Sequence, residues 1–70
     1  MTPKKSSDIQ VEYAINYAIS VFGSKRKAMR WLSLPYIYLN GQSPMSALQN
    51  EESYQEVLDI LGRIEHGIFA

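Results

Sequence analysis

One histidine, His66, lies three residues after Arg63 and beside Gly67, in the stretch "LGRIEHGIFA" that ends the chain. Histidine is the side chain best suited to moving protons near neutral pH, so it is the first candidate for chemistry. Proton transfer needs a nucleophile or carboxylate converging on the imidazole, and no pattern in these 70 residues fixes one there. Next to a glycine stop, His66 reads instead as a group that helps cap the last carbonyls of a helix. Metal chemistry meets the same obstacle, with no cysteine, one histidine and no spaced carboxylate loop. The four glycines are scattered rather than gathered into a phosphate-binding loop. Catalysis is therefore not expected, nor is a cofactor or a metal.

Binding is the remaining class. The run "SKRKAMR" holds Lys25, Arg26, Lys27 and Arg30, four of the seven cations. Phosphate contacts need only such a patch. Against that reading, Lys plus Arg equals Asp plus Glu at seven each, so the chain is neutral overall, unlike a strongly basic nucleic-acid binder. No aromatic residue is interleaved on the basic side. We read the patch as a solvated face opposite Ala28, Met29 and Leu32, with nucleic-acid contact as the weaker alternative. A second stripe, Ile9, Tyr13 and Tyr17, repeats every four residues. It suits either the rim of a core or a homodimer contact. The apolar end, Ile68 and Phe69, is unusual because chain termini are mostly polar. It must fold back onto the core or be held by a partner.

These groups need a scaffold. Seventy residues form one domain, and 46% apolar content is enough for a core rather than a disordered tail. No apolar run reaches the roughly 20 residues of a membrane span. "MTPKKSSD" has lysines but no apolar stretch behind them, unlike a signal peptide, so the expected location is cytoplasmic. Residues 1–7 read as a flexible lead-in and 8–70 as a single helical domain.

Within it, Asp8 is the expected N-cap of a first helix. Val11, Ala14, Ile15, Ala18 and Phe22 form its apolar face, and Gly23 its stop. Ser24 caps a second helix, which must end before Pro35 because Leu34 precedes a proline. Asn40-Gly41 is a turn signal, yet no second strand follows. Ser43-Pro44 instead starts a short helical turn. Asn50 caps the last helix, whose face is Tyr54, Val57, Leu58, Leu61 and Ile64. The fold class is all-α, a small bundle of three helices plus one short helical turn.

In order and spacing, Val21, Phe22 and Gly23; Ala28, Trp31 and Leu32; Pro35; Leu39 and Gly41; Pro44 and Leu48; Leu61, Gly62, Arg63 and Ile64; and Gly67 and Ala70 resemble a known pattern. It is that of the toxin-binding domain of Xre/MbcA/ParS antitoxins, and the resemblance covers about three-quarters of the chain. It implies an antitoxin module of a type II toxin–antitoxin system. Such a module binds and sterically inhibits a bacterial RES-type toxin that consumes NAD. On this resemblance the toxin-facing residues are expected to be Asn40, Gly41, Arg63, His66, Ile68 and Phe69. Longer family members carry an upstream helix-turn-helix region. About 20 residues precede the matching stretch here, so direct operator binding is not expected. Tyr36, Ile37 and Tyr38 are bulkier than the family loop, and Asn40 stands where a small residue is common; both departures bear on partner choice. The alternative functions are a small DNA-associated transcriptional regulator or a homo-oligomerisation module.

Overall fold

The computed structural model describes residues 4–67 and contains α1 (Asp8–Phe22), α2 (Lys25–Ser33), a 3₁₀ turn (Ile37–Leu39), α3 (Pro44–Ala47) and α4 (Glu51–Glu65). This is the all-α arrangement expected from the periodicity, with α3 as the short turn. The 3₁₀ turn takes up Ile37, Tyr38 and Leu39, directly before the Asn40-Gly41 turn signal.

The start of α1 corrects one expectation. The cap is Ser7, not Asp8. Ser7 Oγ accepts a hydrogen bond from the Gln10 N–H at 3.1 Å, and Gln10 Oε1 accepts one from the Ser7 N–H at 2.8 Å. This reciprocal box needs Glu or Gln three residues after the cap. Ser7 has Gln10 at that position, whereas Asp8 has Val11. Asp8 falls in the first turn, where its charge faces the positive end of the helix dipole. At the other end Gly23 adopts φ 78° and its N–H reaches the Ile19 carbonyl at 2.8 Å. Only glycine takes that conformation without cost. Ser24 then caps α2 at once, its Oγ accepting from the Lys27 N–H at 3.0 Å. Two residues thus reverse the chain.

In the lead-in, residues 4–6 pair through their backbone with the junction of α3 and α4. The Ser6 N–H donates to the Gln49 carbonyl at 2.9 Å, and the Glu51 N–H donates to the Lys4 carbonyl at 3.0 Å. Lys5 and Asn50 form an isolated antiparallel bridge between these bonds. Asn50 occupies the N-cap of α4 as expected, but its side chain makes no capping bond. The Lys4 carbonyl takes the first free N–H of the helix instead, meeting the need that every helix start creates. Main-chain pairing is indifferent to side-chain type, so the sequence carries no sign of it.

The core is built largely from small residues. Ala14 and Ala18 of α1, Ala28 of α2 and Ala47 of α3 are completely buried. Leu32, Leu39, Leu48, Val57 and Leu61 supply the bulk between them. α1 packs on both α2 and α4, and α3 packs on the same two helices from the other side. The buried face of α4 is Tyr54, Val57, Ile60 and Leu61, with Leu58 and Ile64 only half-buried. The core face is therefore rotated toward Ile60, which the expected stripe omitted. Helical spacing allows either residue, since Leu58 lies four after Tyr54 and Ile60 three after Val57.

Among the described residues, Ser6 Oγ is buried without a hydrogen-bond partner, while its neighbour Ser7 holds the box at α1. The two serines should respond oppositely to alanine. Ser7→Ala is expected to cost about 1 kcal/mol of stability. Ser6→Ala is expected to be neutral or slightly stabilising, because it removes an unsatisfied polar atom. Urea denaturation of both variants checks this; equal losses would contradict it.

Candidate functional site

An aromatic row runs from the end of α1 across α2 into the loop beyond. Phe22 and Trp31 have ring centroids 5.4 Å apart, Trp31 and Tyr36 5.7 Å, and Tyr36 and Tyr38 5.5 Å. The last two pairs meet edge to face, the arrangement that ring quadrupoles favour. Trp31 is half-buried at the centre of this row. Burial pushes the Tyr36 phenol above its ordinary pKa, and Tyr38 adds to the shift.

The loop itself is closed by its backbone. The Tyr36 N–H donates to the Gln42 carbonyl at 3.0 Å, and the Gly41 N–H donates to the Tyr36 carbonyl at 3.1 Å. The corner between them needs two consecutive left-handed residues, Asn40 at φ 57° and Gly41 at φ 82°. Asparagine and glycine are the residue types that enter that region most readily. Leu39 points inward and is buried, anchoring the loop to the core. Leu34, Ile37 and Tyr38 stay outside, 51%, 83% and 64% exposed.

Tyr38 meets α4 across an open cleft of about 220 Å³, lined with it by Glu56, Asp59, Ile60 and Arg63. The four α4 residues fall at positions i, i+3, i+4 and i+7, one stripe of a helix. Ile60 is the apolar floor, with two carboxylates and one guanidinium around it. The Asp59 carboxylate accepts a long 3.5 Å hydrogen bond from Gln55 Nε2.

The structure distributes the residues singled out by sequence as follows. Asn40 and Gly41 lie exposed at the loop corner, and Arg63 lines the cleft. His66 is exposed at the C-cap of α4, where its backbone N–H, rather than its imidazole, reaches the Gly62 carbonyl at 3.1 Å. Ile68 and Phe69 lie outside the described residues. Lys25, Arg26, Lys27 and Arg30 are all exposed on α2. Ile9 and Tyr13 are exposed on α1, and the Tyr17 ring lies beside that of Tyr13, centroids 6.4 Å apart. Tyr17 is half-buried, and its hydroxyl donates to Glu65 Oε1 at 3.1 Å, joining α1 to the end of α4. Burial, then the Glu65 hydrogen bond and charge, push its pKa up. Among the described residues no group of three or more His, Asp or Glu side chains is placed to hold a metal. Nor is any helix there long and apolar enough to cross a membrane.

Tyr38, Glu56, Asp59 and Ile60 were not singled out as site residues by sequence. The spacing of Glu56, Asp59, Ile60 and Arg63 is legible in the chain. Tyr38 stands out in the sequence for its bulk in the loop, but only the folded loop brings it opposite them. The cleft thus brings together one aromatic ring, an apolar floor, two carboxylates and a guanidinium.

Known proteins carry related sequences. The model of the antitoxin Xre/MbcA/ParS C-terminal toxin-binding domain matches residues 18–67. A protein named Antitoxin Xre from Yersinia enterocolitica (serotype O:8 / biotype 1B) is 39% identical over 71 residues, covering 99% of this chain and 48% of that protein. A second Antitoxin Xre, from Photorhabdus laumondii subsp. laumondii, is 38% identical over 55 residues, 77% of this chain and 37% of that protein. The chain thus spans half or less of the curated relatives it matches. No solved structure matches it. With the family model covering α2, the loop, α3, α4 and the last turn of α1, the chain belongs to the family of Xre/MbcA/ParS antitoxin C-terminal toxin-binding domains.

Proposed function

We propose that this chain is an antitoxin module of the bacterial cytoplasm. It binds a RES-type, NAD-consuming toxin of a type II toxin–antitoxin system and inhibits it by covering the mouth of its active site. The proposed interface takes in Asn40 and Gly41 at the loop corner, Arg63 and His66 at the end of α4, and Ile68 and Phe69 beyond it. The observation that carries this reading is the meeting of loop and helix end at one place. Arg63 shares a cleft with Tyr38, two residues before the Asn40-Gly41 corner. Arg63 can offer a planar fork of donors to carboxylate or phosphate groups at an NAD-binding mouth. Steric occlusion needs no reacting group in the antitoxin itself.

Gly62 supports the same end of α4. A helix-interior glycine costs about 1 kcal/mol relative to alanine. Gly62 is helical, partly exposed and outside the left-handed region. A Cβ there would stand 3.6 Å from the Tyr17 hydroxyl, an ordinary contact. The fold has no need of glycine at this position, whereas a partner backbone approaching closely would have.

Co-expression with a RES-type toxin from a neighbouring reading frame should preserve cellular NAD and growth. Arg63→Glu should let NAD fall although circular dichroism shows the helices intact. Equal NAD loss with and without the wild-type chain would refute the proposal for that toxin. Gly62→Ala should behave oppositely in two assays. It should raise the stability of the free chain by about 0.5–1 kcal/mol and weaken toxin binding by about tenfold or more. Unchanged binding would show that no partner approaches this glycine closely.

A further inference from the structure

The chain is neutral overall but its charges are segregated. α4 carries Glu51, Glu52, Glu56, Asp59 and Glu65, five of the seven acids, against one cation, Arg63. Four of the seven cations lie on α2. Beyond α2 the chain exposes an apolar strip of Leu34, Ile37 and Tyr38, and Tyr38 also lines the α4 cleft, where the two carboxylates of Glu56 and Asp59 outnumber the one cation, Arg63. An apolar centre bordered by charge is the anatomy of a protein–protein contact.

From this we propose that the toxin docks a net cationic face on this surface, with an apolar side chain on Ile37 and an arginine or lysine in the cleft. This rests on the antitoxin reading and deepens it by assigning the partner's chemistry. The cleft suits a long cationic side chain. Its methylenes pack on Ile60 and the Tyr38 ring, while its head reaches the Glu56 and Asp59 carboxylates, which outnumber the one guanidinium of the lining, Arg63, left at the C-terminal end of the stripe for an acidic group of the partner. The strip is fixed beforehand by the closed Tyr36–Gln42 loop and the aromatic row, so little ordering entropy remains to be lost on binding. A second copy also offers cations, on α2. Docking α2 of one copy on α4 of the next is a heterologous contact that leaves both ends open. A single toxin face fits a self-contained surface better.

The test measures binding kinetics of the full chain against the RES-type toxin encoded beside it, at low and high salt, with circular dichroism as a check on folding. All three substitutions are at exposed positions. Glu56→Lys with Asp59→Lys should slow association about tenfold at low salt and approach wild type at high salt, the mark of electrostatic steering. Ile37→Ser should speed dissociation about thirtyfold, the scale of a hot-spot truncation. Wild-type kinetics in both variants, with the wild-type chain bound, would overturn the docking surface and leave the antitoxin reading standing. No binding by the wild-type chain would remove both. A change in the mass of the antitoxin alone on charge reversal would show that the acidic face pairs copies of the chain, which also overturns the proposal.

Discussion

Everything in this small domain depends on α1 lying close to two helices at once. Ala14 and Ala18 face inward from α1, and Ala28 and Ala47 meet the same core from α2 and α3, all with no exposed surface. Short side chains at the contacts let helix axes approach to about 8 Å, the near limit for packed helices. A larger residue at any of them would force strain costing about 1–3 kcal/mol. A 70-residue chain without disulfides has little stability to spare. Tight contacts of this kind make a marginal core sufficient, and α3, packed on α2 and α4, closes the far side.

That frame places the candidate surface. α2 ends where Leu34 meets Pro35, so the chain must leave the bundle there. It turns back through Asn40 and Gly41 and re-enters at Leu39 and Pro44, both buried. The excursion is short and held at both ends, which is why Ile37 and Tyr38 can be exposed without being loose. Tyr17 sets the other side. Its bond to Glu65 joins the end of α4 to α1, two residues beyond Arg63, which lines the cleft with Tyr38. Loop and helix end thus meet by geometry alone, in a member of a family of toxin-binding domains.

Much of this was legible in the chain. Gly23-Ser24, Leu34-Pro35 and Ser43-Pro44 are local signals, each decided within a few residues, and the structure follows them. Elsewhere a non-local or competing contact decided the matter. Ser7 displaced Asp8 as the cap because Gln10 could return the bond. The lead-in paired with the α3–α4 junction through main-chain groups that side chains do not announce. Ile60 took the place of Leu58 in the core because helix rotation depends on what α4 packs against. The candidate site shows the same division. Arg63 was visible as a member of a motif, but its neighbours across the cleft were not, because Tyr38 reaches them only after the loop has folded.

A toxin that covers the loop and the end of α4 as one face must slow amide exchange at both. Hydrogen exchange on the chain, alone and with the RES-type toxin proposed as its partner, reads this out amide by amide. Added protection is expected at residues 36–41 and 60–66, with the amides of α2 near Lys25 to Arg30 and of α1 near Ile9 and Tyr13 unchanged. Protection confined to α1 or α2, with the loop and the end of α4 exchanging as in the free chain, would contradict it.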